Sequence, residues 1–373
     1  MLPGDFTLLQ VTPALDVGGV ESLTVEMAAA VAKAGATSLV ASSGGRLEPM
    51  LAGAELVRLP LARRDPVSIA ANGVRLERLI RRRGVSLVHA RSRASAYSAW
   101  WAARRARAPL VTSYHGVYAA RTPLKRWYNR IMARGDLVIV NSAFTRDHVI
   151  AEHGIDQARI AVIPEGVDSA AFDPAAVSQE RVWAARAAWG GSGPILLLAG
   201  RLTGWKGHAL AIEAVALSGA RDELQLVFLG AEIDRDLAAE LSRQAEQAGV
   251  KLILARSVEN MPAALAAADI VIAPSTEPES FGRVVAEAGA MAKVVVASSL
   301  GGPAETIVDG ETGVLVPPGE AAALAAAIDR VLEMGGEARA AMGQAARRRI
   351  SSLYSIERMC EATFAVYRRL ARP

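Results

Sequence analysis

The segment 274–307 holds the residues best suited to chemistry, two glutamates eight positions apart, Glu279 and Glu287. The apolar run 270–273 predicts a buried strand, which places Glu279 in the loop at its carboxyl end. Apolar residues at helical spacing predict that the next helix begins near Phe281, with Glu287 about two turns along it. Carboxylates can accept hydrogen bonds from sugar hydroxyls, and unpaired N–H groups at a helix start can face an anion. The segment therefore suits a nucleotide-sugar.

Arg201 and Lys206 form a second candidate cluster, in a glycine-bounded loop between the apolar strand 195–199 and a helix that begins near Gly207. An arginine can bond two phosphate oxygens, and a lysine supplies a compact charge, so the pair could clamp a diphosphate. Solvated loop charges are the alternative. Lysine is an unusual choice in this chain, which has 5 lysines among its 42 basic residues.

Two further features stand at predicted strand ends in the first half of the chain. Gly18 and Gly19, after the strand 6–11, would let backbone N–H groups approach a phosphate, although a tight turn is the alternative. The loop is neither a Walker A motif nor a GxGxxG fingerprint. His89 and His115 follow later strands, and a structural role is favoured for His89, which lies in no motif.

Alternating strand and helix patterns run through most of the 373 residues, a length that suits two domains. Repeated units of this kind predict parallel, doubly wound sheets with ligands at the carboxyl ends of their strands. The Pro-, Gly- and Asp-rich segment 164–177 marks a linker between the two series.

Composition excludes several classes of protein. A hydrophobic fraction of 51% with 21% charged residues is typical of a globular chain. We find no uncharged apolar run of the roughly 18 residues that cross a bilayer, and the N-terminus reads as a strand and not as a signal peptide. We therefore expect a cytoplasmic protein. A single cysteine, Cys360, excludes an internal disulfide and is most simply a small core residue.

Basic residues are concentrated between positions 58 and 134, where 18 arginines and lysines face two acids, Asp65 and Glu77. We call this segment the arginine band. Its basic residues recur at helical spacings on two predicted helices, 66–83 and 123–134, which places part of the band on common helix faces. Such an excess of one charge points to an anionic partner. The basic residues at helical spacings are Arg75, Arg78, Arg81 and Arg82, followed by Arg121, Lys125, Arg126 and Arg130.

The blocks around these residues resemble the retaining glycosyltransferases of family 4, which have the GT-B fold. The matching elements are ESFG before the helix, GGPAE and DGETGVLVPP after it, and GRL with KG at 200–207. The resemblance covers nearly the whole chain and is weaker before residue 165. Ser280 departs from it, since the family more often has glycine there, and Glu165 replaces the asparagine of the IPNGVD crossing.

The resemblance implies a role for each candidate residue. Arg201 and Lys206 would bind the donor phosphates, while Glu279 and Glu287 would accept from hydroxyls of the donor sugar and of the ribose. His115, in VTSYHGVY, would face the donor sugar and its leaving group. The remaining expected donor contacts are the amides of Gly18 and Gly19, the ESFG residues Ser280, Phe281 and Gly282, and Arg256 in the loop 255–260 beside the base.

The resemblance also implies an α/β GT-B architecture of two Rossmann-like, doubly wound domains facing across a cleft. We expect an acceptor-side domain at 1–168 and a donor-binding domain at 169–354. A terminal helix at 355–373 would pack back on the first domain.

The implied reaction is retaining transfer of a sugar from a nucleotide-diphosphate-sugar to a hydroxyl, with no cofactor and no metal ion. The sequence Asp234-Arg235-Asp236 spells a metal-binding DxD, but two acids in the first turn of a helix ordinarily compensate its dipole. A GT-B sugar-nucleotide epimerase is one alternative. A nucleic-acid-binding protein is another, although the arginine band lacks interleaved aromatic platforms.

An anionic membrane would supply counter-charge for the arginine band, at about 1 kcal/mol per basic residue. Trp127 and Tyr128 could lie at the interface, whereas a core role is at least as good for Trp100 and Trp101. We therefore expect attachment to the inner face of a bacterial plasma membrane and a lipid-linked or lipopolysaccharide-type acceptor. A soluble acceptor is the alternative.

Overall fold

The computed structural model describes residues 2–16, 18–118, 122–190, 193–230, 235–256 and 260–371. The chain forms two compact units, the first of Met1–Gly166 with Ile356–Pro373 and the second of Val167–Ser355. Arg121, Asp234 and the loop residues 257–259, which the sequence analysis names, lie outside the described residues.

The first unit is built on a parallel sheet of seven strands in the order β3-β2-β1-β4-β5-β6-β7. Near-continuous apolar runs form these strands because both faces of a parallel sheet are covered. The strands are β1 (Thr7–Val11), β2 (Thr37–Ser42), β3 (Glu55–Arg58), β4 (Leu87–Ala90), β5 (Leu110–Tyr114), β6 (Leu137–Val140) and β7 (Ile160–Val162).

Helices on both faces cover this sheet: α1 (Gly19–Lys33), α2 (Pro66–Arg83), α3 (Arg93–Ala106), α4 (Pro123–Asn129) and α5 (Ala143–His153). The predicted helix over 66–83 is confirmed at both ends. The Asp65 carboxylate accepts the Ser68 N–H at 2.8 Å, and Gly84 ends the helix with a φ of 57°.

Helix α4 ends at Asn129, whereas the sequence predicts a single helix over 123–134. A 3-10 turn, Arg130–Ala133, follows it. The buried Asn129 side chain at this junction donates to the Tyr118 carbonyl and accepts from Arg93, which anchors the end of the helix.

The second unit is built on a parallel sheet of six strands in the order β10-β9-β8-β11-β12-β13. The strand order reverses between β8 and β11, and ligands of open α/β sheets bind in the crevice outside such a reversal. The strands are β8 (Ile195–Ala199), β9 (Gln225–Gly230), β10 (Leu252–Arg256), β11 (Ile270–Ala273), β12 (Val295–Ser298) and β13 (Val314–Val316). The helices are α6 (Gln179–Ala188), α7 (His208–Leu217), α8 (Arg235–Gln247), α9 (Met261–Ala267), α10 (Arg283–Ala290), α11 (Pro303–Thr306), α12 (Ala321–Glu333) and α13 (Gly336–Leu353).

The last helix, α14 (Ile356–Leu370), belongs to the first unit. It contributes Cys360 and Tyr367 to the core cluster that contains Phe6 of the N-terminal segment. The Tyr367 hydroxyl lies 2.6 Å from His89 Nδ1, so the helix is joined to the sheet by a buried polar contact as well as by apolar packing.

Across the described part of the chain, every helix is too short or too polar to span a bilayer.

Candidate active site

A small recess opens in the second unit where β8 and β11 end, at the reversal of strand order. Lys206, Ser275, Glu279 and Gly282 are among the residues that line it. Lys206 Nζ lies 2.7 Å from Glu279 Oε2, and the Ser275 hydroxyl donates to Glu279 Oε1 at 2.5 Å. The side chains of Lys206 and Glu279 are only 16% and 12% exposed, so this ion pair is largely shielded from solvent. The structure thus brings together three of the candidate site residues, Lys206, Glu279 and Gly282.

The two loops that carry this ion pair are joined through their backbones. The Thr276 N–H donates to the Trp205 carbonyl at 2.8 Å. Gly207 has a φ of 77°, and a Cβ at this position would overlap the Pro274 carbonyl. Only glycine satisfies both conditions without strain, which explains the glycine after Lys206.

The GGPAE segment holds the Glu279 loop from its other side. The Gly302 N–H donates to the Glu279 carbonyl at 2.8 Å. Gly301 has a φ of 69°, and a Cβ on either glycine would overlap the backbone of the Glu279–Phe281 segment. The two glycines therefore let one loop backbone lie against the other, which fixes where the Glu279 carboxylate points.

Helix α10 begins at Arg283, two residues later than the sequence predicts. Gly282 has a φ of 81°, which keeps it outside the helix, and the buried Phe281 ring packs 5.7 Å from the Tyr354 ring. Glu287 is therefore just over one turn along the helix, and the predicted two turns are wrong. Its side chain is buried, and Oε1 accepts from Arg283 Nε at 2.8 Å.

The other expected donor contacts of the second unit lie outside this recess. Arg201, just after β8, and Arg256, at the end of β10, are exposed, and Ser280 is half-buried. No group of three or more histidine, cysteine or carboxylate side chains in the described ranges is arranged to hold a metal ion. Asp236 lies in the first turn of α8, where an acid compensates the helix dipole.

A second recess lies in the first unit, where β4 to β7 end, and His89, Arg91, His115, Asn141 and Glu165 are among its lining residues. His89 contacts two hydroxyls, with Nδ1 at 2.6 Å from Tyr367 and Nε2 at 2.6 Å from Ser113. Burial, together with the nearby Arg91 charge and His115, holds the pKa of His89 well below its usual range. A neutral histidine with both nitrogens engaged confirms the structural role favoured for His89.

His115 contacts Glu165, the residue that replaces the asparagine of the resembled motif and whose role the sequence does not indicate. His115 Nδ1 lies 3.4 Å from Glu165 Oε1, and the Asn141 amide donates to the same oxygen at 2.9 Å. The only sequence signal for Glu165 is that it departs from the asparagine of the resembled motif.

Gly18 and Gly19 form the turn into α1, which begins at Gly19. Gly18 has an extended backbone, and the Glu21 carboxylate lies against it so closely that a Cβ at position 18 would overlap Oε2. An anion that approached these amides would meet this carboxylate.

Sequence comparisons identify two family domains in the chain. The family described as Glycosyl transferases group 1 matches residues 180–349, and Glycosyltransferase Family 4 matches residues 17–171. A D-inositol 3-phosphate glycosyltransferase of Mycobacterium tuberculosis is 31% identical in an alignment over 304 residues that covers 76% of this chain. The matches span only 53% to 61% of the length of curated relatives with that name.

Solved structures match the chain over almost its full length. A glycosyltransferase from Rickettsia africae is 31% identical, with a TM-score of 0.89 over 98% of both chains. Anabaena HepE, solved in complex with UDP and glucose, has a TM-score of 0.84 over 98% of this chain and 100% of its own, at 22% identity. The second likeness concerns the fold alone, and both agree with two Rossmann-like domains of GT-B type.

Proposed function

The chain belongs to the glycosyltransferases of the group 1 and family 4 type, and on that premise we propose that it transfers a sugar from a nucleotide-diphosphate-sugar to an acceptor hydroxyl with retention of configuration. The observation that carries the proposal is the shielded Lys206–Glu279 pair at the strand-order reversal of the second unit. A cation for a phosphate and a carboxylate for sugar hydroxyls stand together there.

The donor's diphosphate is the group that Lys206 and Arg201 would bind. Lys206 has three N–H donors, of which the structure shows one directed at Glu279, and the exposed Arg201 can reach phosphate oxygens as a planar fork. Glu287 would accept from the ribose diol. UDP is the first nucleotide to test, since Anabaena HepE was solved with it.

The reaction would proceed without a metal ion, and the leaving diphosphate would itself take the acceptor proton. His115 keeps the donor-side role that the resemblance implies. The Gly18–Gly19 amides would take theirs only with the Glu21 side chain rotated away from Gly18. The test is a screen of purified protein against UDP-, GDP- and ADP-sugars with and without EDTA, followed by NMR of the product's anomeric centre. Retention with full activity in EDTA is expected. An inverted product would contradict the proposal. It would instead indicate that His115 acts as a general base, oriented by Glu165.

The acceptor we propose is lipid-linked, of the lipopolysaccharide type, and reached at an anionic membrane. On α4, Leu124 and Trp127 are 75% and 60% exposed, and they stand among the exposed Lys125, Arg126 and Arg130. Large apolar side chains within a basic surface suit a membrane interface, where the apolar groups enter the headgroup layer and the cations face anionic lipid.

The arginine band is less one-sided than its sequence suggests. Glu77 pairs with Arg81 at 3.1 Å and with Arg105 at 3.0 Å, and Glu55 pairs with Arg83 at 2.7 Å. Trp100 and Trp101 pack against the core, so they are not interfacial. Arg126 of α4 also has an acidic partner, Glu152, at 3.2 Å. What remains for a membrane is the exposed face of α2 with Arg75, Arg78 and Arg82, together with the exposed Lys125 and Arg130 at α4.

A small phosphorylated polyol is the second candidate acceptor, because the curated relatives are named D-inositol 3-phosphate glycosyltransferases. Sedimentation with vesicles separates the two. A lipid-linked acceptor predicts binding that needs anionic lipid, falls with ionic strength, and drops in the Arg78→Glu/Arg82→Glu double variant. The matched control reverses two exposed arginines of the second unit, Arg221 and Arg243. Equal binding to neutral vesicles, or none to anionic ones, would favour the soluble acceptor.

A further inference from the structure

Three polar side chains, His115, Asn141 and Glu165, meet where β5, β6 and β7 end in the first unit. The side chains of His115 and Glu165 are only 9% and 10% exposed. Glu165 Oε1 accepts the Asn141 amide at 2.9 Å and faces His115 Nδ1 at 3.4 Å. Burying a carboxylate costs free energy unless hydrogen bonds or charges compensate it, so the partners of Glu165 indicate its role.

The chemistry of the carboxylate decides which ring nitrogen of His115 carries the proton. An ionised carboxylate can only accept, so a bond to Nδ1 requires a proton on Nδ1. The buried Arg91 guanidinium lines the same recess, and the charge of Glu165 is among those that oppose the lowering of the Arg91 pKa by burial. This nearby positive charge favours the ionised form of Glu165. A neutral imidazole carries one proton, so its Nε2 then presents a lone pair.

We infer that Glu165 is a positioning residue that holds His115 in the Nδ1–H tautomer, so that His115 Nε2 accepts a hydrogen bond from a hydroxyl of the bound sugar. The inference rests on the proposed function, in which His115 contacts the donor sugar. The distance of 3.4 Å is at the long end for a hydrogen bond, and such bonds tighten when substrate binds.

An asparagine, the residue of the resembled motif at this position, could not set the tautomer in the same way. Its amide can donate or accept, so it is compatible with a proton on either ring nitrogen. It is also neutral, and it would provide no counter-charge to Arg91. Glu165→Gln keeps the length of the side chain and removes only the charge and the obligate acceptor.

The test is ¹⁵N NMR of the histidine side chains at about pH 8.5, above the usual imidazole pKa range. The chain has five histidines, and the spectrum of the His115→Gln variant identifies the His115 signals. His208 is an internal reference, because its Nδ1 lies 3.2 Å from the Thr203 carbonyl, which can only accept. Burial lowers the pKa of His208 to about 4, so it is neutral in this experiment.

We expect His115 to show the same Nδ1–H signature as His208 and to lose it, at least in part, in Glu165→Ala. A wild-type His115 in the Nε2–H form would overturn the inference, since its Nδ1 would then turn a lone pair toward the carboxylate. That measurement needs no variant of Glu165, so it stands even where Glu165→Ala fails to fold.

Activity supplies the second arm of the test. Glu165→Gln should lower kcat at least about tenfold with a smaller change in the KM for the sugar-nucleotide, since the interaction orients a reacting complex. The matched control is Glu55→Gln, which removes an exposed ion pair with Arg83 in the same unit and should leave kcat unchanged. Full kcat in Glu165→Gln would overturn the positioning role. Absence of any transferase activity would overturn the proposed function, whereas the His115 signal would still decide for or against this inference.

Discussion

Glu279→Gln should raise the affinity for the free nucleotide and lower the turnover of the sugar-nucleotide. In the structure, Glu279 Oε2 lies 2.7 Å from Lys206 Nζ, so the carboxylate neutralises the cation that we assign to the donor phosphates. Glutamine keeps the size of the side chain and removes its charge. Lys206 then offers its full charge to a diphosphate, while the strong acceptor for the sugar hydroxyls is lost.

The magnitude follows from the geometry of the pair. Two unit charges about 4 Å apart attract by about 4 kcal/mol at the effective dielectric constant of sites near a protein surface. Desolvation offsets much of this in a shielded pair, which leaves a net effect of about 1 to 2 kcal/mol. We therefore expect the affinity for UDP to rise by about fivefold to thirtyfold. Turnover should fall about a hundredfold, the usual cost of a lost interaction with the transition state.

Calorimetry with UDP and steady-state kinetics with the sugar-nucleotide measure the two effects separately. The matched control is Glu277→Gln, an exposed glutamate in the same loop, which should change neither quantity. If Glu279→Gln weakens UDP and the sugar-nucleotide equally, then Glu279 contacts the nucleotide and the assignment of Lys206 to the phosphates fails.

Three other predictions concern the nucleotide, the loop and pH. Glu287→Gln should weaken UDP binding about tenfold in calorimetry by weakening the acceptor for the ribose diol, and an unchanged Kd would contradict that role. Gly282→Ala should lower the urea-derived free energy of unfolding by at least about 1 kcal/mol more than Gly310→Ala, because both glycines have positive φ but only a Cβ at 282 would meet Pro303, at 2.7 Å; equal losses would contradict the steric argument. Burial lowers the pKa of His208 to about 4, so its neutral form contributes stability above about pH 6.5 that is lost as the pH falls toward 4. His208→Gln should therefore lose less stability than wild type between pH 7 and pH 4 in denaturant titrations, and parallel curves would refute this.

Local sequence patterns were sufficient to predict most helices and strands, because the residues that form each of them lie within its own segment. Strand β11 is a run of apolar residues that fits the buried centre of a parallel sheet. Helix α2 carries its own start and stop signals in Asp65, Pro66 and Gly84. The start of α10 was predicted two residues too early. The apolar helical pattern extends back to Phe281. In the structure, however, Phe281 packs on Tyr354, which is distant in sequence, and the positive φ of Gly282 keeps that residue outside the helix.

The α/β class, the glycosyltransferase resemblance and the residues that can bind a phosphorylated sugar were predictable from the sequence, because motif residues and their spacing are local properties of the chain. Which of these residues contact one another depends on the fold. The Lys206–Glu279 pair joins residues 73 positions apart, and the contact between His115 and Glu165 spans 50. Parallel strands bring their carboxyl ends to one edge whatever their separation in sequence, so the sheet order selects these partners. The role of Glu165 became readable only there, because a departure from a motif has no physical meaning until its neighbours are known.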